Sequence, residues 1–405
     1  MCQEVGHAVQ VALSRRGLLK AGAGVSLAAL SLMLGGAPVT AAAASADAND
    51  AAADFDTRLI LLGTAGGPAW FPGSSRHGIA SALQVGDLTY MVDCGDGAAR
   101  QLATALMRSS PQAHPFQLLE PLRALFFTHL HSDHVVDYNN LLLQGWTAGV
   151  GRRLPLEVLG PGPRGELPPV FQVPGRPRAE PAVVFPDAPT PGTVQMTDGI
   201  FRAFATDLND RIRDYLWPDL RTLVHARDIA LPNIAGFRSP NQTPAPDMEP
   251  FTVWSDAHVR VTATLVEHAP VFPSFAFRFD SEQGSVVFSG DTGPCQNLVR
   301  LARDADVLVH EVIDAAWVDE LFPPPLDETT QALRHHLLSA HTSIEDAGRI
   351  AEQAGAKTLV LSHVIPHNVG DDRLRLAARH YSGRLVPGHD LAVVGIGRRR
   401  GRGTA

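Results

Sequence analysis

The chain has 405 residues, 45% of them hydrophobic and 19% charged, which is apolar material for one large domain or two ordinary ones and excludes a globally disordered chain. The formal net charge is −8, and because the first 46 residues carry Arg15, Arg16 and Lys20 against Glu4, the remainder stands at −10, a poor balance for a protein whose partner is a polyphosphate. Three cysteines, Cys2, Cys94 and Cys295, exclude a disulfide framework, and the last two read as small residues buried near a site.

The chain opens on Ser14-Arg15-Arg16-Gly17-Leu18-Leu19-Lys20, a twin-arginine pattern, followed by an uncharged stretch from Ala21 to Pro38 and several A-x-A sites before Asp47. We expect a signal peptide over 1–46 that is cut between Ala41 and Ala46, with export to the periplasm or beyond. A membrane anchor is the weaker alternative, because the apolar stretch is short for a bilayer and diluted by Gly and Ser. No later segment is long and apolar enough to span a membrane, so no span is expected in the mature chain. A linker over 47–54 then leads into a single large domain over 55–397.

In that domain short apolar runs alternate with turn residues and helical patterns, the mark of a mixed α/β fold. Strands are predicted at Arg58 to Leu62, Ile79 to Val85, Leu88 to Val92, Leu122 to Phe127 and Leu156 to Leu159, with helices after Gly97 and after His134. An interruption over 160–250 begins Pro- and Gly-rich, so its start is expected to be neither sheet nor helix. Within it Thr197 to Trp217 carries a helical apolar stripe, read either as a helix packed on the core or as a lid or homodimer contact. A second set of strands is predicted near Val259 to Val266, Phe275 to Phe279, Val286 to Ser289, Val307 to Val309, Thr358 to Leu361 and Leu391 to Val394, which makes two sheet-forming halves and suggests a sandwich. Residues 398–405, with Arg398, Arg399, Arg400 and Arg402, read as a solvated basic tail.

The most specific signal is Thr128-His129-Leu130-His131-Ser132-Asp133-His134, directly after an apolar strand. A tight loop there can aim His129 and His131 at one cation while Asp133 and His134 face a second, and imidazole with carboxylate suits zinc. Four later apolar runs repeat the design, each leading into polar, ligand-capable residues: Glu267-His268, Asp291-Thr292, His310-Glu311 and His363. The glycines of Gly63 to Gly67 lack the P-loop lysine and the dinucleotide spacing, and read as a tight turn beside the metals. His77, His114, His225, His258, His335, His336, His367, His380 and His389 match no ligand position and are taken as surface or core residues. Of these, His367 is expected near the pocket mouth, and Arg76 with His77 could approach substrate.

With those motifs, the opening Leu62-Gly63-Thr64-Ala65-Gly66-Gly67 and the strand end Val92-Asp93-Cys94-Gly95-Asp96-Gly97, the segment from about Leu59 to Val394 resembles the metallo-β-lactamase superfamily, and within it the ribonuclease Z-like branch that includes phosphodiesterases and an arylsulfatase. The resemblance implies a four-layer αββα sandwich with the site at the sheet edges. It implies that His129, His131 and His268 hold one Zn2+, that Asp133, His134 and His363 hold the other, and that Asp291 bridges them, with Mn2+ or Fe as alternatives at one site. It further implies a catalytic pair in which Glu311 orients His341. Thr342 and Glu345 are read as a capping box for the helix from Ile344 onward.

The chemistry so implied is hydrolysis by a hydroxide bridging two cations, with Asp133 orienting the water and His341 protonating the leaving group. The leading expectation is an exported binuclear zinc hydrolase of a small phosphodiester or sulfate ester, with nucleic acid an unlikely partner. The alternatives are tRNA 3′-processing, which the motifs allow but the leader and the acidic balance oppose, and opening of a lactone or β-lactam ring.

Overall fold

The computed structural model describes residues 55–399, apart from 150, 153, 174, 176 and 177. The expected leader and linker, and the tail beyond Arg399, lie outside them. No helix among the described residues is long and apolar enough to cross a membrane.

Among the described residues, fourteen strands form two seven-stranded sheets. The first contains β1 (Phe55–Gly63), β2 (Ala80–Val85), β3 (Leu88–Val92), β4 (Leu122–Phe126), β5 (Leu156–Pro161), β6 (Val224–Ile229) and the last strand, β14 (Val393–Arg399), in the order β14-β1-β2-β3-β4-β5-β6. The second contains β7 (Phe251–Ser255), β8 (Val259–Leu265), β9 (Phe275–Ser281), β10 (Gly284–Phe288), β11 (Val307–Ile313), β12 (Thr358–Ile365) and β13 (Arg384–Pro387), in the order β13-β12-β11-β10-β9-β8-β7. Each sheet is part antiparallel and part parallel: β3 to β6 run parallel in the first, and β10 to β13 in the second.

Both faces of each sheet are covered, which explains why the central strands read as continuous apolar runs and not as alternating ones. Leu59 and Leu61 of β1 point between the sheets, where they meet Phe126, Phe277 and Phe279, whereas Ile60 and Leu62 point outward to Leu102, Leu142 and Phe201. The outer face of the second sheet packs Leu308 and Leu359 against Leu298 and Ile350. The four layers are therefore helix, sheet, sheet, helix, as expected. Burial of each such Leu or Phe is worth about 1.5–3 kcal/mol, and the Phe126 and Phe279 rings add an edge-to-face contact at 5.2 Å.

Three departures from expectation have clear physical reasons. The Gly160-Pro161 start of the interruption is sheet, because β5 runs to Pro161 and pairs with Ile229 of β6; β4 ends at Phe126, opposite Leu159, so the missing proline N–H breaks no ladder with that neighbour. The helical stripe divides into Thr193–Ala203 and Ala205–Asp214, which pack Phe201 and Leu208 on the outer face of the first sheet. Arg398 and Arg399 are not tail, since β14 carries the chain to Arg399, opposite Phe55.

The parallel strands of both sheets end on one side of the sandwich, and that is where the loop after β4, Asp291 after β10, and the far parts of β11 and β12 converge. Ligand sites in α/β sheets form at such carboxyl ends of parallel strands.

Candidate metal centre

Residues His129 to His134 leave β4 with no room for a long excursion: a short helix, Ser132–Val135, begins at once and carries Asp133 and His134 inward. The structure brings all seven expected ligands together. Ligand atoms of His129, His131, His268 and Asp291 lie within 4.8 Å of one another, as do those of Asp133, His134, Asp291 and His363. Asp291 belongs to both groups and divides its oxygens between them. Its Oδ2 is 3.8 Å from Nε2 of both His129 and His268, while its Oδ1 is 3.2 Å from Nε2 of both His134 and His363.

The other ring nitrogens are held from behind. His134 Nδ1–H donates to Asp93 Oδ2 at 2.8 Å, and His268 Nδ1–H donates to the Ala340 carbonyl at 2.8 Å. Such partners fix ring orientation and aim Nε2 at the centre. Asp93 is itself fixed by Thr128, whose N–H and Oγ1–H both donate to it at 2.8 Å. Asp93 was legible only as part of a quoted strand-end motif; its supporting role emerges from the fold, where it adopts a left-handed φ of 60°.

His363 reaches the centre through an irregularity that strand prediction does not give. β12 does not end there: between the pairs His310↔Leu361 and Val312↔Val364, Glu311 faces two residues, Ser362 and His363, so β12 bulges. His363 has a φ of 46°, and a bulge of this kind re-aims a side chain at an active site. The Gly63 to Gly67 turn packs against it so closely that a Cβ on Gly66 would fall 2.5 Å from His363 Nδ1. The next residue, Gly67, donates its N–H to Asp133 Oδ2 at 2.9 Å.

The centre is buried, with His129, His134, His268 and Asp291 each no more than 2% exposed. His129 Nε2, His134 Nε2 and Asp291 Oδ1 find no hydrogen-bond partner, although buried polar atoms are normally paired. That donor set, convergent and unsatisfied, fits two divalent cations. Burial holds His129, His131 and His268 below the ordinary imidazole range, favouring the neutral ligand form. Burial also pulls on His134, but Asp291, Asp93 and Asp133 outweigh it and hold it well above that range.

Beside the cluster, His341 Nδ1–H donates to Glu311 Oε1 at 3.1 Å, and the same oxygen accepts the Thr292 N–H at 2.9 Å and the Thr342 N–H at 3.3 Å. Burial lowers His341, yet the Glu311 carboxylate beside it, with Asp291 and Asp133, raises it to about 9. The capping box expected at Thr342 and Glu345 lies one residue later: Ser343 Oγ accepts the Asp346 N–H at 3.1 Å. Thr342 instead turns inward, its hydroxyl donating to the Thr292 carbonyl.

Among the remaining histidines, His367, expected near the pocket mouth, packs on the Gly63 to Gly67 turn, with Nε2 2.9 Å from the Gly66 carbonyl. Arg76 does not face substrate: its guanidinium donates to Thr64 Oγ1 and to the Gly388 and His367 carbonyls. His77 is paired with Asp390 at 2.8 Å. His336, expected to be an ordinary surface or core residue, instead has its ring centroid 6.1 Å from His131, 5.7 Å from His268 and 5.7 Å from His341. Nothing in its local sequence separates it from His335, which faces away.

The chain is similar to known proteins. A family model described as a beta-lactamase superfamily domain matches residues 212–364. The chain is 29% identical over 347 residues to a protein named Ribonuclease Z from Mycobacterium bovis, an alignment that covers 84% of this chain and 99% of the relative. A Ribonuclease Z from Mycolicibacterium gilvum is likewise 29% identical, with 84% and 96% covered. Among solved structures, human tRNase Z, short form, superposes with a TM-score of 0.52 at 19% identity over 84% of this chain and all of its own length.

Proposed function

We propose that the chain, which is similar to the metallo-β-lactamase superfamily, is a phosphodiester hydrolase acting through two divalent cations, with an RNA phosphodiester as its first candidate substrate. The observation that carries the reading is the Glu311–His341 pair set against the double cluster, because a diester leaving as an alkoxide needs a proton donor. We assign His129, His131 and His268 to one cation, Asp133, His134 and His363 to the other, and Asp291 to both, with zinc the metal that suits the donors. Bound there, the cations would lower the pKa of water from 15.7 toward roughly 7 and offset charge on the phosphoryl oxygens.

The chain's own groups do the rest. Asp133, held by the Gly67 N–H, orients the attacking water and accepts its proton. Glu311 keeps the His341 proton on Nδ1 in place, so that Nε2 delivers its proton to the departing oxygen. The Thr292 and Thr342 amides, both donating to Glu311 Oε1, keep its carboxylate correctly turned.

The likeness to the Ribonuclease Z proteins over 84% of the chain supports a diester over the sulfate ester expected beside it, and it weighs against setting nucleic acid aside as a partner. A small phosphodiester is the second reading. It is favoured by the acidic balance, by the segment 164–190, in which three arginines are matched in number by Glu166, Glu180 and Asp187, and by the twin-arginine leader, which we propose directs export. A 3′-extended tRNA transcript and a dinucleotide, offered at equal concentration, separate the two. Cleavage of the transcript at one site, at a kcat/KM above that for the dinucleotide, is the outcome expected for the RNA reading; a transcript left intact while the dinucleotide is cleaved establishes the small-substrate one.

Export is checked by intact mass. The secreted chain is expected to begin between Ala41 and Ala46, and changing both Arg15 and Arg16 to Lys should abolish its appearance outside the cytoplasm. A secreted chain that still starts at Met1 contradicts the leader.

A further inference from the structure

Between Glu311 and His341 the chain builds helices Ala315–Leu321 and Glu328–Ser339. The second is not core: none of its residues is fully buried. Leu337 and Leu338 rest on Ile313, Val318 and Ile365, and Asp327 caps its start by accepting the Thr330 N–H at 2.8 Å. Its outer side meets the irregular segment that follows β5, where Phe171 packs on His335 at 5.5 Å and Arg178 pairs with Glu328 at 3.5 Å. The helix is thus held over the metal centre from both sides, and His336 is the residue it presents there.

His336 belongs to neither ligand group, and among the described residues no hydrogen bond engages its ring. It is half-buried, so an imidazole with ring nitrogens free to hydrogen-bond faces His131, His268 and His341. Its position is specific. If the leaving oxygen meets His341, the His336 ring, 5.7 Å from His341 and beside His131 and His268, is within reach of the atoms attached to that oxygen.

We propose that His336 is a specificity-determining residue that hydrogen-bonds the leaving arm of the diester, selecting an arm with an oxygen close to the scissile bond, as in a sugar, over a bare aryl or alkyl group. This rests on the phosphodiester reading above.

The test compares His336→Ala and His336→Gln with the parent, all zinc-loaded, on a dinucleotide and on bis(p-nitrophenyl) phosphate. One neutral hydrogen bond corresponds to a loss of up to about tenfold. His336→Ala should raise KM for the dinucleotide by about that factor, leave kcat within about twofold, and leave the aryl diester unaffected. His336→Gln should restore most of the dinucleotide affinity. Calorimetric binding of an uncleaved dinucleoside methylphosphonate should weaken by the same factor, with zinc content unchanged. Equal changes for both diesters, an unchanged KM for the dinucleotide, or loss of zinc would each overturn the assignment. A parent enzyme that turns over neither diester would instead overturn the phosphodiester reading.

Discussion

Asp291→Ala is expected to strip both metal ions from the chain and, with them, several kcal/mol of transition-state stabilisation, on the order of 10³ or more in kcat. The reason is geometric. Asp291 is the one residue common to both groups of four, with Oδ2 toward His129 and His268 and Oδ1 toward His134 and His363. His129→Ala removes a ligand from the first group alone and should mainly weaken one ion. Elemental analysis of the purified proteins should give about two ions for the parent, about one for His129→Ala and none for Asp291→Ala, since seven ligands are too many for one tetrahedral zinc. Equal losses in the two variants would remove the bridging role.

The second large effect concerns His341. His341→Ala should keep both ions yet lower kcat by roughly 10² to 10⁴ for substrates with alkoxide leaving groups, the usual worth of general acid catalysis, and by far less for nitrophenolate, which leaves without a proton. Glu311→Gln tests the same pair through pH. Only the protonated imidazole can donate, and it predominates below its pKa. Raised to about 9 in the presence of Glu311, His341 should stay active through neutrality and lose activity as pH rises through about 9. Without the carboxylate charge its pKa falls, so the alkaline limb of kcat should move to lower pH. A fall that is equal for good and poor leaving groups, or an alkaline limb that does not move, would make His341 structural and favour ring opening of a lactone or β-lactam.

Much of the fold is legible in the sequence because its central strands are covered on both faces: runs such as Leu59 to Leu62 and Leu122 to Phe126 have no solvent side and read as unbroken apolar segments. The strands not foreseen, β6, β7 and β13, all lie at sheet edges, where only β14 is also found. Each has residues exposed to solvent, so His225 and Arg227 break the pattern in β6, and β13 is only four residues long. The seven candidate ligands were legible because most follow an apolar strand directly. What the sequence could not yield depends on contacts between distant segments. Asp93 supports His134 only because β3 lies beside β4, and His336 faces the centre only because the 328–339 helix is pinned by Ile313, Val318 and Ile365.

Phosphodiester hydrolysis through two cations is tested most directly by the initial rate on bis(p-nitrophenyl) phosphate, measured on one preparation as isolated, after chelation, and after zinc is returned. The rate should fall to background on chelation and recover fully at about two equivalents of zinc per chain. A rate indifferent to chelation, or a zinc-loaded protein that leaves the diester intact while hydrolysing an aryl sulfate, a lactone or a β-lactam, would contradict it.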